Sequence, residues 1–210
     1  MSRRVRYQVA VSLDGFIARP GGEYDWIVMD PAIDFAALFK EFDTAIMGRK
    51  TYELTTAAGG HGGVQGLDSV VFSRTLPPAT HQGVRIVNDD PREVLPALKA
   101  KAGRDIWLYG GGELFRSLLK AGLVDTVEVA VMPVLLGSGI PLLPPGATTK
   151  LILVDQKLLP ASGIVALSYS IPGGVPAPLI GYVRQATARV IKKKTTPARP
   201  KKTARKKTRS

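Results

Sequence analysis

The order of apolar segments predicts an α/β fold with a mostly parallel central sheet and helices on both of its faces. Two observations carry this. Short β-rich runs alternate with helical patterns through the first two-thirds of the chain, and the last third is rich in strands, which makes the sheet mixed. A third observation, the distribution of charge, separates this domain from a basic C-terminal extension.

Val5–Val11 alternates and reads as the first strand. Ser12-Leu13-Asp14-Gly15 has turn chemistry, Phe16-Ile17-Ala18 is a short apolar return, and Arg19-Pro20-Gly21-Gly22 is a loop. Pro31 through Phe42 places Ile33, Phe35, Ala37, Leu38 and Phe42 at helical spacing, with Pro31 suited to a first turn. Thr44–Met47 is a buried strand running into Gly48-Arg49-Lys50-Thr51, and a second helix begins near Thr51. Ser69–Phe72 and Val84–Val87 are strands, and Pro91–Ala102 is a helix that starts on proline. Asp105–Tyr109 is a strand that meets Gly110-Gly111-Gly112 and a helix over Glu113–Ala121, ended by Gly122. Val124–Met132 is a long strand. Leu151–Lys157, Gly163–Ser170 and Leu179–Arg184 are expected to close the sheet as antiparallel strands.

The chain has 210 residues, of which 45% are hydrophobic, enough for one domain with a substantial core. It has no Cys and two His, which excludes disulfides, thiolate catalysis and Cys-ligated metal centres and argues against a His-based one. No window approaches the roughly 18 consecutive apolar residues of a membrane span. The N-terminus lacks the long apolar stretch of a signal peptide, so a cytoplasmic protein is expected.

The net charge of +12 is unevenly spread. Residues 187–210 carry eleven Lys or Arg and no acid, whereas residues 1–186 carry eighteen basic against seventeen acidic residues. Residues 1–186 are therefore expected to form a nearly neutral globular domain. Residues 187–210 are expected to be a disordered Lys/Arg-rich tail, because a segment so poor in large apolar side chains cannot offset the entropy of ordering. Such a tail would bind nucleic acid or polyphosphate without sequence preference, or serve only as a solubilising extension.

Three polar motifs follow the carboxyl ends of buried strands. Gly110–Gly112 opens a helix, where free amides and the helix dipole favour an anion, although a tight turn alone would also use glycine. Gly48, Arg49, Lys50 and Thr51 offer two cations and a hydroxyl at a helix start, as would a solvated basic corner. Ser73-Arg74-Thr75 suits a phosphate monoester, or is merely a polar strand end. In an open α/β sheet that edge is where ligands bind. The three together favour a ligand with several phosphates, a description that NADPH meets.

The order Val-Ser-Leu-Asp-Gly-Phe-Ile-Ala (11–18), Asp-Trp (25–26), Met-Gly-Arg-Lys-Thr-Tyr-Glu (47–53), Phe-Ser-Arg-Thr (72–75), Leu-Tyr-Gly-Gly-Gly-Glu-Leu (108–114) and Pro-Val-Leu-Leu-Gly-Ser-Gly-Ile-Pro-Leu (133–142) resembles the dihydrofolate-reductase-like family. The likeness is greatest to stand-alone proteins similar to the C-terminal reductase domain of the bifunctional riboflavin-biosynthesis deaminase/reductase, and it spans roughly residues 4–185. The resemblance implies an NADPH-dependent reductase of a small heterocycle or carbonyl compound, similar to 5-amino-6-(5-phosphoribosylamino)uracil reductase or dihydrofolate reductase. It implies that Ala10 and Ile17 flank the nicotinamide, that Arg49, Lys50 and Thr51 contact the pyrophosphate and the 2′-phosphate side, and that Ser73 and Arg74 grip the adenosine 2′-phosphate. Gly110, Gly111 and Gly112, with the amides of Glu113 and Leu114, would take the pyrophosphate, and Trp26 would lie near the nicotinamide and the substrate mouth.

Two positions depart from the riboflavin enzyme: Gly110 stands where it has a substrate-binding Glu, and Tyr24 where it has a Ser. Hydride transfer also needs a proton or an orienting charge near the reacting bond. Asp14, Asp25 and Asp34 are the acid candidates, each with an ordinary structural alternative as turn former, solvated loop acid or helix-start acid. Tyr52 and Tyr109 carry hydroxyls but fit pocket walls equally well, and His61 and His81 are assigned no role. A homodimer is a further expectation by analogy. The alternative reading is a nucleic-acid-associated protein whose body binds a nucleotide without catalysis.

Overall fold

A computed structural model describes residues 3–183 except 58, 82 and 147. The tail over 187–210 lies outside the described residues, as does Arg184. The strands are β1 (Val5–Ser12), β2 (Phe16–Ala18), β3 (Phe42–Gly48), β4 (Asp68–Phe72), β5 (Ala79–His81), β6 (Val84–Val87), β7 (Asp105–Gly110), β8 (Thr126–Met132), β9 (Ile140–Pro141), β10 (Ile152–Leu159) and β11 (Ile164–Ser170). The helices are α1 (Phe35–Phe39), α2 (Arg49–Ala57), α3 (Pro91–Ala100) and α4 (Gly112–Lys120).

Among the described residues nine strands form one sheet in the order β10-β11-β8-β1-β7-β3-β4-β6-β5. The six from β8 to β6 run parallel; at the edges β11 pairs antiparallel with β8, β10 antiparallel with β11, and β5 antiparallel with β6. This is the mixed, mostly parallel sheet flanked by helices that the sequence predicts. Alternation along β3 assigns the faces. Ile46 faces a core shared with Leu95 and Leu98 of α3 and with Leu114, Phe115 and Leu118 of α4. Ala45 and Met47 face the other side, where Leu38 of α1 and Tyr52 of α2 pack.

Away from the site, a buried ionic network ties the beginnings of the strands. Arg6 Nε and Nη2 donate to Glu128 Oε1 and Oε2 at 2.8 and 2.6 Å, and Nη1 donates to Glu41 Oε2 at 2.6 Å. The guanidinium also stacks 4.6 Å from the Phe42 ring centroid.

The structure corrects two expectations. The helix expected over Pro31–Phe42 is only Phe35–Phe39, because Asp34 caps it by accepting from the Ala37 amide at 3.0 Å while its own amide donates to Tyr182 O at 2.7 Å. Ile33 bridges to Val183, and Phe42 is drawn into β3. The strand expected over Leu179–Arg184 does not form in its described part. Pro178 has no N–H to give a ladder, and Ile180 is held by side chains instead: its amide donates to Asp155 Oδ2 at 2.9 Å, and Lys157 Nζ donates to its carbonyl. The short strands β5 and β9 had no counterpart in the sequence reading.

Candidate active site

The parallel strands β7 and β3 are neighbours, yet their following helices leave in opposite directions. From β3 the chain passes through α2 to β4, and from β7 it passes through α4 on the other face to β8, beyond β1. The crevice outside the carboxyl ends of β7 and β3 is thus a topological switch point, the place where open α/β sheets bind ligands. Register puts the three glycine and polar motifs on this rim: Met47 lies opposite Gly110, and Gly48 opposite Phe72.

The glycines let the backbone pass where side chains would collide. A Cβ on Gly110 or Gly111 would stand 3.3 or 3.4 Å from Thr51 Oγ1, so the Thr51 hydroxyl lies against this turn. The Gly110–Gly111 peptide is cis. Gly111 caps α4 without a side-chain hydrogen bond. The first amides of α4 therefore lack intrahelical acceptors and sit at the positive end of its dipole.

Beyond the glycines lies a cleft of ≈ 620 Å³ lined by Gly48, Ser73, Arg74, Glu113 and Leu114, together with Asn88–Arg92, Arg116, Ser117 and Lys120. Ser73 Oγ accepts from the amides of Thr75 and Leu76 at 3.2 and 2.9 Å. Asn88 Nδ2 donates to Ser73 O at 2.6 Å and Leu76 O at 2.8 Å, which fixes the loop that carries Arg74. Arg74 is exposed, and Arg74 and Lys120 make no ion pair among the described residues. Arg92 is paired with Asp90, and Arg116 with Glu113 at 2.5 Å. Arg92, Arg116 and Lys120 were not singled out from sequence, although the spacing of Glu113, Arg116 and Lys120 puts all three on one helical face.

Arg49 and Lys50 begin α2 at the same rim but do not line the cleft; Arg49 turns along its helix to Glu53 at 3.2 Å. Ala10 and Ile17 lie on the other side of the glycines. Ala10 pairs with Ala130 in the sheet and faces the cluster of Trp26 and Tyr109, and Ile17 packs with the α3/α4 core.

The three catalytic candidates have different surroundings. Trp26 is buried, and its Nε1 has no hydrogen-bond partner among the described residues. Asp25 is exposed, and Arg19 Nε, donating at 2.7 Å, holds its carboxyl below the usual carboxylate range. Asp14 is also exposed, but its carboxylate accepts from Ser12 Oγ at 2.6 Å and from the amides of Leu136 and Gly137 at 3.0 and 2.7 Å. The Ser12 hydroxyl leads these donors in holding the Asp14 carboxyl low. Burial raises the pKa of Tyr109. Among the described residues no cluster of His, Cys, Asp or Glu could hold a metal, and no helix is long and apolar enough to cross a membrane.

Comparison with known proteins agrees with this fold. Residues 3–162 match the family model of the RibD C-terminal domain. The uncharacterised protein YyaP of Bacillus subtilis is 37% identical over 151 residues, covering 67% of this chain and 80% of that protein. The riboflavin biosynthesis protein RibD of Mycobacterium tuberculosis is 31% identical over 151 residues, covering 63% of this chain but only 43% of that protein. Among solved structures, one from Shewanella sp. PV-4, provisionally assigned to riboflavin biosynthesis, superposes with a TM-score of 0.68 at 25% identity, covering 81% of this chain and 99% of the other. Dihydrofolate reductase from Enterococcus faecalis, solved with NADP(H), shares the fold with a TM-score of 0.59 at 15% identity, over 80% of this chain and 96% of the other.

Proposed function

This chain belongs to the RibD C-terminal domain family, an oxidoreductase family, and on that premise we propose that it is an NADPH-dependent reductase of a small heterocyclic or carbonyl substrate. The observation that carries this reading is the convergence of three strand ends at one switch point, where a glycine turn, helix amides without a side-chain cap and an arginine with no ion pair among the described residues lie along a single rim. The turn suits a diphosphate, because Gly111 caps α4 without a side-chain hydrogen bond and leaves the first helix amides to an anion, while glycine at 110–112 lets the backbone lie close against Thr51 and Pro141. Bound there, NADPH would supply the hydride.

The chain's own residues then divide the work. Gly110, Gly111 and Gly112, with the amides of Glu113 and Leu114, hold the diphosphate, helped by Gly48 and Thr51 and by the field of Arg49 and Lys50. Arg74 and Ser73 hold the adenosine 2′-phosphate, and Lys120 adds charge to the same cleft. Ala10 and Ile17 flank the nicotinamide, with Trp26 beside the substrate. Asp14 and Asp25 are held ionised, so they act as anions that orient rather than as proton donors. Gly110 and Tyr24, standing where the riboflavin enzyme has Glu and Ser, favour a substrate different from its ribosylaminopyrimidine. In this proposal residues 1–186 are the catalytic unit, and residues 187–210 make no contribution to cofactor affinity.

Titration with NADPH, followed through Trp26 and Trp107 fluorescence, tests the reading. Quenching at micromolar NADPH is expected. Arg74→Ala should weaken it by roughly tenfold or more, as the loss of a charge-assisted contact does, while NADH changes little. No response at millimolar NADPH would refute the assignment.

A further inference from the structure

Asp14 bonds to residues 122 and 123 positions away in sequence, although it is exposed and occupies an ordinary turn. We infer that it is a positioning residue. It clamps the β1–β2 turn to the loop after β8, and so holds in place the wall of the crevice on the nicotinamide side. The inference rests on the cofactor placement proposed above.

The backbone joins the two segments at both ends. The Leu13 amide donates to Val134 O at 2.9 Å, and the Leu142 amide donates to Gly15 O at 2.9 Å. Beyond Gly15, β2 pairs with β9, Phe16 opposite Pro141 and Ala18 opposite Ile140. Gly139 permits the approach, since a Cβ there would stand 2.2 Å from Ala18 O. Ser12 Oγ completes the turn, donating to Asp14 and accepting from the Phe16 amide at 2.9 Å.

The stretch around Leu136 and Gly137 is where the two segments have no backbone ladder to share. There the Asp14 carboxylate takes both amides. A carboxylate is suited to this because it offers two oxygens and only accepts. An amide in its place would point an NH2 group at one of the two N–H groups.

The clamped loop touches both halves of the site. Val134 and Leu136 pack against the cluster that contains Trp26, Ala10 and Tyr109. At its far end Pro141 and Pro144 press on Gly112, the first residue of α4. Ile17 lies on β2, inside the clamped unit. The Arg74 end of the cleft follows β4, across β1, β7 and β3 in the sheet, and shares no bond with Asp14. Releasing the clamp should therefore affect the nicotinamide end and leave the adenosine end as it was.

The test compares the wild type with Asp14→Asn and Asp14→Glu. Amide hydrogen exchange is measured at Leu136 and Gly137, and binding is measured for NADPH and for adenosine 2′-monophosphate, whose single phosphate is the one placed at the Arg74 end. Asp14→Asn should speed exchange at both amides by roughly tenfold or more, the consequence of losing charge-assisted bonds. NADPH affinity should fall several-fold with adenosine 2′-monophosphate affinity unchanged, and Asp14→Glu should restore part of the loss.

Unchanged exchange in Asp14→Asn overturns the clamp. Equal loss of both ligands, or of neither, overturns its coupling to the nicotinamide end. A wild type that binds no NADPH would refute the proposed function, while the exchange comparison would still decide whether Asp14 is a clamp.

Discussion

A methyl group on Gly112 would sit 2.9 Å from the Pro141 carbonyl oxygen and 3.0 Å from Pro144 Cδ. The first is backbone and the second belongs to a rigid ring, so neither can yield by a rotamer change. Gly112→Ala must shift the start of α4 or the segment from Pro141 to Pro144. It is expected to cost about 1–3 kcal/mol in denaturant melts and to weaken NADPH binding. Gly48→Ala is the control for stability, because its Cβ would meet only Leu114 Cβ at 4.0 Å, an ordinary contact. Equal stability losses at the two positions would show that crowding at Gly112 is not what selects glycine. At this scale the sequence was informative where the candidate site is local: a glycine triplet after a strand and a Ser-Arg pair after another can be read directly, and the structure places both on one rim. The bonds of Asp14 could not be read, because its partners come from a loop more than a hundred residues away, and in sequence it looks like any turn aspartate.

At the level of elements, the parallel strands were legible from short β-rich runs bounded by glycine and proline. Their lengths and the minor strands were not. Phe42 continues the apolar spacing of α1 yet belongs to β3, where it stacks on Trp107 with ring centroids 5.3 Å apart. Tertiary packing thus overrides a helical period that the chain locally permits. The polar partners that set strand register were equally hidden. Arg6 on β1 and Glu128 on β8 are 1% and 2% exposed and form a two-bond pair, with Glu41 accepting from Arg6 and Thr126 Oγ1 donating to Glu128 at 2.7 Å. Burial alone would lower the pKa of Arg6, and its bonds to Glu128 and Glu41 more than reverse that effect. Arg6→Ala would leave Glu128 charged and unpaired, so a loss of about 3–5 kcal/mol is expected by chemical denaturation. Replacing both residues with Met should cost much less than the single change. A double variant as unstable as Arg6→Ala would mean that the pair contributes packing rather than compensated charge.

Over the whole molecule, topology brings the polar motifs to one edge. The cleft at the rim is lined by Arg74, Arg92, Arg116 and Lys120 and by Asp89, Asp90 and Glu113; Arg92 is paired with Asp90 and Arg116 with Glu113, which leaves Arg74 and Lys120 as the cations without an ion pair among the described residues. The placement follows from connectivity: adjacent parallel strands whose helices depart to opposite faces must leave a crevice between them. Sequence could suggest that the motifs share a rim but could not order them along it, since that order depends on which strands pair. The most direct test of a single dinucleotide spanning this rim is a backbone amide map of the protein titrated with NADPH. Resonances of Ser73, Gly110–Gly112 and Leu114 should shift together with one dissociation constant, while those of β10 at the far edge stay still. Shifts at only one of the strand ends, or separate constants for Ser73 and the glycines, would contradict a site built from all three.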